Sequence, residues 1–172
     1  MEIRRERPED RASVRSVHRA AFARPGDVGE QVPEAILVDQ LRDGPWWLPH
    51  LSLVAVSGEV VGHVVASRAT VQPSGAAVLG LGPIGVEPAW QRQGVGSALM
   101  HAVLAAAEAR DEAAVVLLGD PVYYRRFGFV PAAEHGLLPP DPAWGAAFQL
   151  RVLSGPVPRG VVHYAAPFDA VG

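Results

Sequence analysis

The feature that most narrows the fold is a change of hydrophobic period at Gly94. Before it, residues 51–57, 60–70 and 77–86 are rich in β-branched and small apolar side chains, separated by the turns Gly58-Glu59 and QPSG. They read as a β-hairpin followed by a third strand. After it, Val95, Leu99, Val103 and Ala106 recur at helical spacing, which predicts a helix from about Gly94 to Arg110. Residues 115–118 then form a short, wholly apolar run that suits a buried parallel strand. Its link to the strand ending at Val86 is a right-handed β-α-β crossover.

The flanks follow the same rules. Residues 2–7 alternate weakly and meet Pro8, which suits an opening strand and the first turn of a helix over residues 8–23. Ile36, Leu37 and Leu41 predict a second helix that stops at Gly44-Pro45 and begins in an acidic stretch carrying Glu30 and Glu34. Past the crossover, residues 122–127 predict a short helix and 128–130 a strand. The Pro-rich residues 132–142 read as loop, and 147–153 and 161–165 as closing strands. A chain of 172 residues with no repeat or linker fits one mixed α/β domain, 1–172.

Composition excludes several kinds of partner. The chain is 49% apolar and 19% charged, ordinary for a globular protein. A net charge of -3 provides no global positive field for nucleic acid or an anionic membrane. There is no cysteine, and the histidines lack paired ligand spacing, so no metal site is expected. The charged start MEIRRERPED lacks the apolar core of a signal peptide, and no run is long enough to span a bilayer. A cytoplasmic protein is expected. All 15 basic residues are Arg, which removes lysine Schiff-base and Walker-lysine chemistry, and any anionic ligand must be held locally.

The segment Gln91-Arg92-Gln93-Gly94-Val95-Gly96 lies where that can happen, between an apolar strand and an amphipathic helix. A helix start offers unpaired N–H groups and a partial positive charge, and glycines let a pyrophosphate approach without a Cβ in the way. By itself the hexapeptide also fits a plain loop entering a helix; the strand before and helix after favour an anion seat running on to Ser97. Arg92 is either an added cation there or a solvated side chain. Just upstream, Gly80-Leu81-Gly82-Pro83-Ile84-Gly85 matches a dinucleotide fingerprint, but no helix begins there and Pro83 interrupts it. Those glycines are expected to thin the strand so that a ligand can lie along its backbone.

These residues resemble the GCN5-related N-acetyltransferase superfamily, and within it small bacterial proteins of the YhbS type. Gln91, Gly94 and Gly96 meet the pattern [QR]-x-x-G-x-[GA] after a strand ending LGPIGVEP. A second match is GDPVYYRRFGF, in which Tyr124 stands four positions before Gly128. The resemblance is good over residues 51–130 and holds only in outline at both ends. It implies a mixed, mostly antiparallel sheet splayed between its fourth and fifth strands, with helices on both faces and acetyl-CoA in the gap. The implied reaction is direct acetyl transfer to a primary amine of a small molecule or peptide, by a monomer or homodimer. Relatives carry an Asn before the short helix; this chain has none, and Asp120 stands near that place.

Acetyl transfer from a thioester needs a neutral amine, a polarised carbonyl and a protonated leaving thiolate. The resemblance implies that the cofactor pairs with the backbone of Ile84, Gly85 and Val86, and a free N–H at Val86 would stabilise the oxyanion. Tyr124 is the candidate acid, because a phenol is protonated at neutral pH. Tyr123 lies beside it and is either a cofactor contact or a core aromatic. Glu87, just past the strand, is the candidate base acting through water, or else a surface group. His63 reads as a structural histidine, Glu30 and Glu34 as a cation contact or a solvated helix face, and Trp46, Trp47 and Trp144 as pocket walls or partly buried aromatics. The rival readings are a noncatalytic acyl-CoA-binding or sensing module and an acyltransferase with a different donor.

Overall fold

Apolar alternation along the central strands decides the layering. The computed structural model describes residues 1–28 and 31–171. In chain order its elements are β1 (Glu2–Arg5), α1 (Arg11–Phe22), α2 (Pro33–Arg42), β2 (Ser52–Ser57), β3 (Glu59–Gln72), β4 (Ala76–Val86), α3 (Val95–Glu108), β5 (Ala114–Leu118), α4 (Pro121–Tyr124), β6 (Val130–Pro131), β7 (Leu137–Leu138), β8 (Phe148–Val152) and β9 (Gly160–His163). Leu53, Ala55, Val64 and Ala66 pack with Val95, Leu99, Met100 and Val103 of α3. Their neighbours Val54 and Val65 turn to the other face and pack with Val14, Leu37, Val38 and Leu41 of α1 and α2. Helices therefore cover both faces, as expected.

The sheet runs β1-β2-β3-β4-β5-β8-β6, with β9 added to the far end of β3 and to β7. Its pairs are antiparallel except β4 with β5 and β7 with β9. The β4–β5 ladder is short, with only Leu79↔Val115 and Gly80↔Val116 in register. Immediately beyond, Leu81 pairs Ala66 and Ile84 pairs Val64, so Gly82 and Pro83 together oppose a single β3 residue. That bulge bends β4, and Pro83 has no N–H to donate to a ladder. β5 continues along β8 to Leu118 while β4 leaves it. The two strands diverge into a wedge.

Several elements differ from the sequence reading. The first helix opens as a tight turn over Pro8–Asp10, held by Arg4 and the Arg7 amide on the Asp10 carboxylate, before α1 begins. The Pro-rich loop contains β7, whose two residues are strand only because β9 lies alongside them. The two closing strands part company, β8 beside β5 and β9 beside β3. The β4 glycines are also corrected at two positions. A Cβ at Gly80 would lie 2.7 Å from the Tyr164 ring, and one at Gly85 2.8 Å from His18 Nδ1, so both make room for protein side chains. Gly82, at φ +141, faces open space.

Candidate active site

The turn from Gln91 to α3 is built from alternating backbone hands. Arg92 has φ +59 and Gly94 φ +85, both left-handed, and Gly94 caps α3. This geometry tilts successive amides toward a common side, a nest that suits an anion. Among the described residues, no protein acceptor takes the amides of Arg92, Gln93, Gly94, Val95, Gly96 or Ser97; the Ala98 amide bonds to Gly94 O at 2.9 Å. Two side chains stiffen the turn, Gln91 Nε2 donating to Val86 O at 3.0 Å and Gln93 Nε2 to Ala89 O at 2.8 Å.

These amides open on a cleft of about 530 Å³ whose walls include Gly85, Val86, Arg92, Gly96, Tyr123 and Arg126. Arg126 lies over the Tyr123 ring, 4.6 Å from its centroid, and its Nε donates to Tyr123 O at 2.9 Å. Two guanidinium groups thus flank a set of unpaired amides, an arrangement that suits an anion despite the negative net charge. On β4, the Glu87 amide donates to Val61 O at 2.9 Å. Strand alternation then turns the Ile84 and Val86 amides away from β3, toward the gap.

A second cleft, of about 680 Å³, fills the wedge between β4 and β5. Leu81, Ile84, Leu117 and Tyr124 belong to its walls, and Phe22 and Ile84 line both clefts, so the two adjoin along β4. Tyr124 packs its ring 4.9 Å from Tyr123 and 6.0 Å from Phe129. Burial, with Tyr123 adding to it, pushes the Tyr124 phenol up to about 12, which keeps it protonated at neutral pH.

A buried polar chain supports β4 from behind. Arg42 binds Glu6 at 2.5 Å, Ser52 Oγ donates to Glu6, and Ser52 Oγ lies 2.8 Å from His63 Nε2. Because Ser52 spends its proton on Glu6, the network assigns N–H to His63 Nε2 and a lone pair to His63 Nδ1. His18 Nε2 then donates to His63 Nδ1 at 2.7 Å. Burial holds both imidazoles neutral, His18 well below its ordinary value. Burial also pushes the Glu6 carboxyl up, but hydrogen bonds from His63 and Ser52 and the Arg42 charge outweigh it and leave it at about 2. His63 is therefore structural, as its apolar neighbours implied.

Residues 49–131 match the model of the acetyltransferase (GNAT) domain. The chain is 34% identical to the uncharacterized N-acetyltransferase YhbS of Escherichia coli, over 98% of this chain and 99% of that protein. The chain belongs to the GNAT acetyltransferase family. Among solved GNAT structures, E. coli YhbS in complex with CoA is similar at a TM-score of 0.86, with 33% identity over 99% of this chain and 93% of that one. A Brucella melitensis GNAT acetyltransferase in complex with acetyl-CoA has a TM-score of 0.79 and 37% identity, over 98% and 97%.

The two clefts gather most of the residues expected from sequence, but not all, Gln93 and Val95 lining neither. Ile84, Gly85, Val86, Gln91, Arg92, Gly94, Gly96, Ser97 and Tyr123 line the first cleft and Tyr124 the second. Asp120 is exposed and spends a carboxylate oxygen on the Val122 amide at 2.9 Å, capping α4. Glu87 stands outside both linings, its carboxyl pushed up by partial burial and by Glu59. Trp46 and Trp47 pack against the α1–α2 core; Trp144 alone of the three lines the wedge. Glu34 lines the wedge, while Glu30 lies outside the described residues. Arg126, Phe22 and Tyr164 were missed. Arg126 follows Tyr123 by three positions, a helical spacing legible in YYRRF; the other two arrive through tertiary packing.

Proposed function

We propose that residues 1–172 act as one acetyltransferase domain that moves the acetyl group of acetyl-CoA directly to a primary amine within a ternary complex. The observation that carries this reading is the junction of the two clefts at Ile84, with unpaired amides at one end and Tyr124 at the other. Acetyl-CoA supplies the activated acyl group. The amides from Arg92 to Ser97, with Arg92 and Arg126, hold its diphosphate. The outward-facing Ile84 and Val86 amides orient the pantetheine arm, and Val86 N–H polarises the thioester carbonyl and steadies the oxyanion.

The amine enters from the wedge as the C–N bond forms and the C–S bond breaks. Tyr124 donates its phenolic hydrogen to the departing sulfur. With its pKa at about 12, the phenol keeps its proton until the sulfur takes it, and the phenolate then recovers the proton that the attacking nitrogen sheds as it becomes an amide. Glu87 stands outside both clefts, so the entering ammonium loses its first proton to water before the neutral amine attacks.

Thiol release from acetyl-CoA in the presence of an amine panel tests the assignment. Saturable release that requires an amine supports transfer. Micromolar CoA binding with no release on any amine would instead mark a sensing module, and faster release from a longer acyl-CoA a different donor.

A further inference from the structure

The wedge cleft carries a chemical signature of its own. Glu34 is 7% exposed and lines the cleft; its Oε1 binds Arg24 at 2.5 Å, while Oε2 is buried and has no hydrogen-bond partner. Asp141 and Asp169 line the same cleft, and no arginine is among the described residues that do. The same lining holds three aromatic rings in series, Trp144 6.1 Å from Tyr164 and Tyr164 5.0 Å from Phe168. The Tyr164 hydroxyl, like Glu34 Oε2, is buried without a partner.

Carboxylates and aromatic rings lining one cleft are the chemistry that recognises an organic cation, by ion pairing and by contact with ring faces. A buried carboxylate oxygen without a partner, on a residue that lines the cleft, is unfavourable until an N–H donor reaches it. Among the described residues the lining offers a ligand carboxylate three acidic side chains and no arginine, Arg24 being held on Glu34. The geometry points to an acceptor that is a cationic amine with an aromatic or apolar body and no carboxylate beside the amine. Free amino acids are thereby disfavoured. This rests on the acyl-transfer reading for taking the wedge as the acceptor side. Glu34 Oε2 is the specificity-determining atom, satisfied by the ammonium as it enters; Tyr124, on the same cleft, marks where the deprotonated amine reacts.

The test is calorimetric titration of CoA-saturated protein with tryptamine and with tryptophan, which differ by the carboxylate alone. The expected result is tryptamine at least about tenfold tighter, with the gap shrinking to about threefold or less in Glu34→Gln. Asp169→Asn, at an exposed position, provides a second reduction of the gap should Glu34→Gln fail to fold. Tryptophan binding as tightly as tryptamine, binding of neither, or undiminished discrimination in the folded variants overturns the inference. Thiol release in the same mixtures separates the two readings. Selective tryptamine binding without release sinks the transferase and leaves the cation site, whereas release with tryptophan as the better acceptor does the reverse.

Discussion

Gly96→Ala separates the packing of the turn from its proposed work. Gly96 sits in the first turn of α3 with ordinary helical handedness, and a Cβ built there would lie 3.5 Å from Tyr123 Oη and 3.8 Å from Val86 Cγ2. Both are normal van der Waals distances, so nothing needs to move. Alanine in a helix is favoured over glycine by about 0.5–1 kcal/mol. For a chain of 172 residues that raises the ligand-free melting temperature by roughly 1–4 °C. The same methyl projects into the cleft between the amides and Tyr123, where the diphosphate is proposed to sit. Losing one charge-assisted hydrogen bond costs about 1.5–3 kcal/mol, or roughly 10- to 100-fold in CoA affinity. Thermal melts without ligand and calorimetric CoA titration measure the two effects. A higher melting temperature with unchanged CoA affinity would refute the assignment of these amides; a lower one would refute the packing argument. Gly94→Ala is the control, since φ +85 penalises any Cβ by about 1–2 kcal/mol, and it should melt earlier.

Tyr124→Phe should lower kcat by about 10²-fold or more while leaving CoA affinity within about twofold, and wild-type kcat should show no alkaline loss from this group below about pH 10. Glu87→Gln should retain at least about half of kcat, because its carboxylate reaches neither cleft; a loss near that of Tyr124→Phe would restore it as the base. The buried chain at Glu6 makes stability pH-dependent in one direction. Glu6, His18 and His63 all have folded values depressed below their unfolded ones, so each contributes stability above its unfolded pKa and loses it as pH falls. Urea unfolding should therefore show a plateau above about pH 7, a decline starting near 6.5 from the histidines, and a steeper one below about 4.5 as Glu6 protonates. Stability that increases between pH 7 and 5 would contradict this.

The central elements were legible because their signals are local. The β3 and β4 strands, α3 and β5 follow from side-chain period, and Gly94 and Gly96 from the conformations and clearances that a helix start requires. Tyr124 follows from its spacing to Gly128. Features built by distant partners were not legible. β7 is a strand only by virtue of β9, Gly80 and Gly85 accommodate Tyr164 and His18 from opposite ends of the chain, and Trp46 and Trp47 turned toward the α1–α2 core.

The order of the central strands and helices, the glycine turn and the family resemblance were thus determined by the chain itself, since each depends on residues within a few positions of one another. The wedge and its contents were decided by tertiary structure. The bulge at Gly82-Pro83 bends β4 from β5, and only then can Glu34, Trp144, Tyr164 and Phe168, far apart in sequence, converge on one cleft. A hydrophobic period reports which face of an element is buried; it carries no record of which distant side chain meets it there.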